Sequence, residues 1–165
     1  MKIKYFIPIL ALFIFGCGKS DEELKLLADE NMKNQKIEEA VKTLEQLVTE
    51  FPESNYAPQA AYDLANIYKN GALPKLPKDQ SLKKALEYFS LVAEKYPDFK
   101  EAPIALFMKG FIENNDFRKF DEAKKTYNLF ISKYPNHQLA EAAKNELNTI
   151  GLTPEQILEK AQKQL

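Results

Sequence analysis

The chain has 165 residues, 45% hydrophobic and 28% charged, enough for one domain or a short array and too apolar for disorder. Its 23 basic residues are interspersed with 24 acidic ones rather than banked in one stripe, which excludes a nucleic-acid footprint.

Residues 1–16 read as an export signal rather than as part of the fold. Lys2 and Lys4 form a positive n-region, and Tyr5 to Phe15 is an apolar run of eleven residues. A helical bilayer span needs roughly 20, so the run is a signal h-region and not an anchor. Discounting the two lysines leaves 21 basic against 24 acidic residues. The run ends in Ile14-Phe15-Gly16-Cys17, which resembles the lipobox of bacterial lipoproteins in its branched apolar residue, its Gly and its Cys. Phe15 is bulkier than the small residue usual at its place. The resemblance implies cleavage before Cys17 and acylation (palmitate included) of its thiol and new amine. Each buried acyl CH₂ contributes about 0.8 kcal/mol, and several chains make a permanent anchor. Cys17 is the only cysteine, so no thiol would remain for disulfide or catalytic chemistry, and this covalent lipid is the only non-protein group expected. Gly18, where an inner-membrane retention signal would carry Asp, implies export to the outer membrane. The alternative is an unmodified, buried Cys17 behind an ordinary signal peptide.

Ser20-Asp21-Glu22-Glu23 opens the first helix. Ser20 with Glu23 has the spacing of a capping box, and acids in a first turn suit the helix dipole. The same stretch resembles the acidic surface-export signal of some Bacteroidetes lipoproteins, and the two roles are compatible. Residues 17–20 are then a lipid-bearing tether so short that the fold sits against the membrane.

From there the chain repeats itself. Ala40, Leu44 and Pro52 have the same spacing as Ala85, Phe89 and Pro97, and as Ala123, Tyr127 and Pro135. Three helices of one design end in Phe51-Pro52, Tyr96-Pro97 and Tyr134-Pro135. Self-similarity of this kind is the signature of a solenoid, in which each repeat covers its neighbour's apolar stripe. Residues 21–137 resemble the tetratricopeptide pattern, a helix–turn–helix of 34 residues with a Trp, Leu, Gly, Tyr first helix and an Ala, Phe, Pro second helix. Repeat 1 spans residues 21–54, with Leu24, Leu27 and Ala28 at the first-helix stations and Asn31 in the Tyr position. Repeat 2 spans residues 55–99, its first helix near Ala57–Asn70, with Leu64, Ala65 and Tyr68 on pattern. Pro58 falls in that helix's first turn, and Gly71 supplies a left-handed end. Eight residues are inserted before Ala85, within 71–81, where two prolines predict a stiff, non-helical loop. It is either a tolerated surface loop or a partner contact. Repeat 3 spans residues 100–137, with Leu106 and Gly110 at the Trp and Gly stations; Gly110 permits the close helix approach that Ala28 and Ala65 permit elsewhere.

Residues 138–165 are expected to hold two further helices, a partial repeat and a cap. Leu139, Ala143 and Leu147 stripe the first over Gln138–Ile150. Thr153, Pro154 and Gln156 open the last, whose polar residues suit a solubilising cap on an open end. The fold class is all-α, a tetratricopeptide-like α-solenoid of about three repeats plus C-terminal capping helices, with no strand signal.

Little of the sequence points to chemistry. His137, the only histidine, sits at a helix start with no second imidazole for metal ligation, and reads as a capping or exposed residue. No phosphate loop, nucleophile elbow or zinc helix is present. The acids alternate with lysines at helix-surface spacings, which describes solvated faces and not an enzyme. In tetratricopeptide arrays the first helices line a groove, and carrying those stations over marks Tyr62, Asn66 and Lys69 in repeat 2 and Phe107, Phe111 and Asn114 in repeat 3. Amides that pair with a peptide backbone beside aromatic faces suit an extended peptide. The competing reading is that Phe107 or Phe111 packs in a helix interface.

The lipobox, the immediate helical start and the Tyr-Pro repeat ends together resemble the outer-membrane protein assembly lipoproteins of the BamD type. Ala105-Leu-Phe-Met-Lys-Gly-Phe-Ile-Glu, then Phe120-Asp-Glu-Ala, Tyr127, Phe130 and Tyr134-Pro135, carry most of that likeness. It implies a non-enzymatic scaffold, lipid-anchored on the periplasmic face, whose partners are a β-barrel assembly pore protein and unfolded outer-membrane proteins. That family usually has about five repeats, against three and a remnant here. Two other readings remain: a Tol-Pal-associated cell-envelope adaptor, which shares the repeats but has an N-terminal coiled coil and no lipid Cys, and a surface-displayed ligand-binding lipoprotein.

Overall fold

The computed structural model describes residues 18–162, so the export signal, Cys17 and residues 163–165 lie outside the described residues. Among the described residues eight helices follow one another: α1 (Asp21–Lys33), α2 (Ile37–Glu50), α3 (Ala57–Lys69), α4 (Lys78–Lys95), α5 (Ala102–Asn115), α6 (Phe120–Lys133), α7 (Ala140–Thr149) and α8 (Pro154–Gln162). Among the described residues there is no strand, and each helix from α1 to α6 packs against the next in line, ending at α7. This is an all-α stack of helical hairpins compatible with a tetratricopeptide-like solenoid.

Two kinds of turn build the stack, and each has a local cause. The three second helices α2, α4 and α6 stop at Phe51, Tyr96 and Tyr134, whose φ/ψ values are −127/56, −119/57 and −130/54. A following proline cannot continue the helix and pushes the residue before it out of the α region. The chain then closes the same pair of turn bonds each time. Ser54, Phe99 and His137 donate to the carbonyls of Phe51, Tyr96 and Tyr134 at 3.0, 3.0 and 3.1 Å. Ala57, Ala102 and Ala140 donate in turn to the carbonyls of Ser54, Phe99 and His137. Within the hairpins, each first helix ends near one left-handed residue: Gln35 (φ 58), Gly71 (φ 65), Arg118 (φ 53) and Gly151 (φ 79). Lys36 and Lys119 then start α2 and α6 with nearly identical backbone angles.

The capping box at the first helix is complete. Glu23 N–H donates to Ser20 Oγ at 3.2 Å, and Ser20 N–H donates to Glu23 Oε2 at 2.8 Å. Ser54 Oγ donates to Asp21 Oδ2 at 2.6 Å, tying the start of α1 to the next inter-repeat turn. His137 caps as well, its Nδ1 accepting from Leu139 N–H at 3.1 Å.

The repeat marks are the core. Ala40, Ala85 and Ala123 are fully buried, as are Phe89 and Tyr127, and Leu44 is nearly so. One apolar cluster runs from α1 into α5, and a second joins α5, α6 and α7. Polar anchors tie the helices together beside this apolar packing. Thr126 Oγ1 donates to the buried Glu113 at 2.6 Å between α6 and α5. Tyr68 and Tyr88 stack with ring centroids 5.8 Å apart, and both hydroxyls donate to Glu45 Oε1, at 2.9 and 3.1 Å. Burial first, and the Glu45 carboxylate second, hold both phenols well above the ordinary tyrosine range. The trio pins α2, α3 and α4 to one another.

Gly110 makes the close approach possible. A Cβ there would lie 3.0–3.2 Å from three ring carbons of the fully buried Tyr127. Gly110→Ala gains about 1 kcal/mol of helix propensity but overpacks a ring that Phe107 of the same helix also meets edge-on. We expect a net loss of about 1 kcal/mol, read as a lower urea midpoint at unchanged slope.

Two expectations need correction. The inserted stretch 71–81 is not wholly a loop, because α4 begins at Lys78 and takes in its last four residues. Ser81 there is buried and donates Oγ to the Tyr68 carbonyl at 2.6 Å, so α4 gains an early turn by closing on the end of α3. Nor does α8 act as a polar lid. Residues 153–160 are all exposed, and Ile157 and Leu158 face solvent. Five and nine residues beyond the left-handed Gln35 and Arg118 stand Ala40 and Leu44, and Ala123 and Tyr127. The same steps from Gly151 reach Gln156 and Lys160, which cannot fill those buried stations.

Candidate protein-binding surface

The marked groove residues stand on the first helices, Tyr62, Asn66 and Lys69 along one stripe of α3 and Phe107, Phe111 and Asn114 along one stripe of α5. All six are half-buried. The two leading rings turn inward. Tyr62 meets Phe89 and Phe99 edge-on, at centroid distances of 6.1 and 6.2 Å. Phe107 meets Tyr127 and Phe130 in the same way at 5.6 and 5.8 Å, and Phe130 in turn meets His137 at 5.7 Å. Each ring thus locks a first helix to its own second helix, and Tyr62 also reaches Phe99 in the turn that follows. The packing alternative describes the Phe107 ring, and Tyr62 shares it.

The amides are engaged as well. Asn66 Nδ2 donates to the Tyr62 carbonyl one turn back at 2.9 Å. Asn114 Nδ2 reaches Glu146 Oε2 on α7 at 3.3 Å, beside a polar cleft of about 390 Å³ shared with Arg118, Thr149 and Ile157. Lys69 in the last turn of α3 suits the negative end of its dipole. Phe111 lies one turn beyond Phe107.

The sequence reading missed the first-repeat part of this surface. Stepping the same stations back one repeat from Tyr62, Asn66 and Lys69 reaches Lys25, Asp29 and Met32. Lys25 and Asp29 form an ion pair, and Met32 is exposed. A small hollow of about 120 Å³ lies beside them, lined also by Gln59 and Asp63 of α3. Burial pushes the Asp63 carboxyl above its usual range, against the lowering effect of a 2.9 Å bond from Gln59. Lys25 is raised by its contact with Asp29. The surface is therefore charged at the α1 end and aromatic and amide-bearing along α5. Among the described residues no group of His, Cys, Asp and Glu could hold a metal ion.

A family model described as outer membrane lipoprotein, YfiO, matches residues 19–151, most of the chain. The chain belongs to the YfiO family of outer membrane lipoproteins. The match opens at Lys19, just ahead of α1, and closes at Gly151, so the YfiO-like part of the chain is α1 through α7 and the exposed α8 lies beyond it. A search of curated proteins returns no match. Membership of the YfiO family places the chain with the outer membrane.

Proposed function

We propose that the protein is a non-enzymatic, lipid-anchored interaction scaffold on the periplasmic face of the outer membrane, a BamD-like component of outer-membrane protein assembly. It holds unfolded barrel proteins near the assembly pore and braces that pore through its helical hairpins. The observation that carries this reading is the YfiO match over the three hairpins and α7. The position of Cys17 supports it, since α1 begins only four residues later. Four extended residues reach no further than about 14 Å, so lipid on Cys17 would hold the first repeat against the bilayer. The first-helix face then presents Lys25, Asp29, Met32, Lys69 and Phe111 along one side of the stack.

Affinity purification of the tagged, lipidated chain from mild-detergent outer membranes tests the proposal, with partners identified by mass spectrometry. The expected result is stoichiometric recovery of a barrel-assembly pore protein. Recovery of Tol-Pal or peptidoglycan-synthesis components, or of no partner, would overturn it. Protease added to intact cells should leave the chain uncut if it faces the periplasm.

A further inference from the structure

The insertion in the second repeat builds a hollow. Beyond the left-handed Gly71 the chain folds back, Leu76 N–H donating to the Leu73 carbonyl at 3.0 Å, and both leucines pack onto the core. With Tyr68 they floor a hollow of about 430 Å³, walled by the outer face of α4 and by Glu38 at the start of α2. The floor is held in place. Tyr68 is bonded to Glu45 and stacked on Tyr88, and its carbonyl takes the buried Ser81 hydroxyl. A pre-formed apolar hollow needs little reorganisation to accept a ligand.

The rim carries one more cation than anions, Lys75, Lys83 and Lys84 standing against Glu38 and Glu87, in a chain of formal net charge −1. Lys75, Lys83 and Lys84 line the hollow and meet Glu38, Asp79 and Glu87 at 3.8, 3.9 and 3.8 Å. Those contacts are long and lie between exposed side chains, so they hold the lysines weakly and can exchange for other carboxylates.

We propose that this hollow is a docking site for an acidic polypeptide segment of a partner. Its apolar side chains seat on Leu73, Leu76 and Tyr68, while flanking carboxylates take over Lys75, Lys83 and Lys84. The site is separate from the first-helix face, and it rests on the scaffold reading in one respect, that the ligand is a polypeptide.

The test is fluorescence anisotropy of the full, lipidated chain in mild-detergent micelles with a labelled acidic peptide that carries Leu-Phe at its centre. Binding is expected, weakening with added salt and weakening about tenfold in Lys83→Glu with Lys84→Glu. Both lysines are exposed, so the melt of that variant should match the parent chain. Leu73→Ser should weaken binding as well, and the same peptide with Ser-Gly at its centre should bind far less. Equal binding of the Ser-Gly peptide, an unchanged affinity in the charge-reversed variant, or no binding at all would each overturn the inference. If the peptide fails to bind while the pore protein is still recovered from membranes, the docking site falls and the scaffold reading stands. If the peptide binds but no pore protein is recovered, the reverse holds.

Discussion

Cys17→Ala is expected to move the protein from the membrane pellet into the soluble fraction almost completely. A single acyl chain binds a bilayer only marginally, whereas the several chains on a processed lipoprotein cysteine make attachment effectively irreversible. Among the described residues no helix is long and apolar enough to cross a membrane. Leu26 on α1, Leu129 on α6 and Leu158 on α8 are exposed apolar side chains on three different helices. The measurement is an alkaline wash of isolated membranes, with labelled fatty acid followed into the parent chain and the variant. A variant that stays in the washed pellet would overturn the lipobox reading, and so would a parent chain that takes up no label.

Phe89→Ala is expected to cost about 3–5 kcal/mol, the range for removing a large buried aromatic side chain. Phe89 is fully buried in the middle repeat, and Tyr62 of α3 rests its ring edge on it. The cavity would open between α3 and α4, in the repeat through which α1 and α2 are joined to α5. For a chain of this length such a loss lowers the thermal midpoint by roughly 10 °C. Because a solenoid is held together by nearest-neighbour interfaces, the melt should also broaden as the flanking repeats uncouple. Calorimetry checks both features. A shift of only about 2 °C would mean that the repeat relaxes around the missing ring and that the Tyr62–Phe89 contact contributes little.

The locally determined features were legible in the residues. Pro52, Pro97 and Pro135 end three helices with the same backbone angles, because a proline restricts the residue before it whatever else is nearby. Ser20 and Glu23 form their capping box within four residues of chain. The spacing of Ala, aromatic and Pro marks predicted which side chains would be buried, since one stripe of a helix must face its neighbour. Membership of an outer membrane lipoprotein family agrees with the resemblance drawn from those marks.

What only the tertiary structure decided are features that depend on residues distant in the chain. Tyr62 and Phe107 occupy stations that line a groove in the tetratricopeptide family, yet their rings turn to Phe89 and Phe99, and to Tyr127 and Phe130. No local signal states which aromatic residues of the second helix will meet them. The insertion carries two prolines that read as a stiff loop, but Ser81 reaches the Tyr68 carbonyl and draws its end into α4. Its two leucines become the floor of a hollow only because α2 and α4 stand beside them. The last helix has a good N-terminus in Thr153 and Gln156, and so it forms. It stays exposed because Gln156 and Lys160 occupy the stations where earlier repeats bury Ala and Leu or Tyr. Helices and their ends follow from short-range sterics and capping, and so are written in the sequence; which faces meet, and which hollows stay open, follow from packing between segments that are neighbours only after folding.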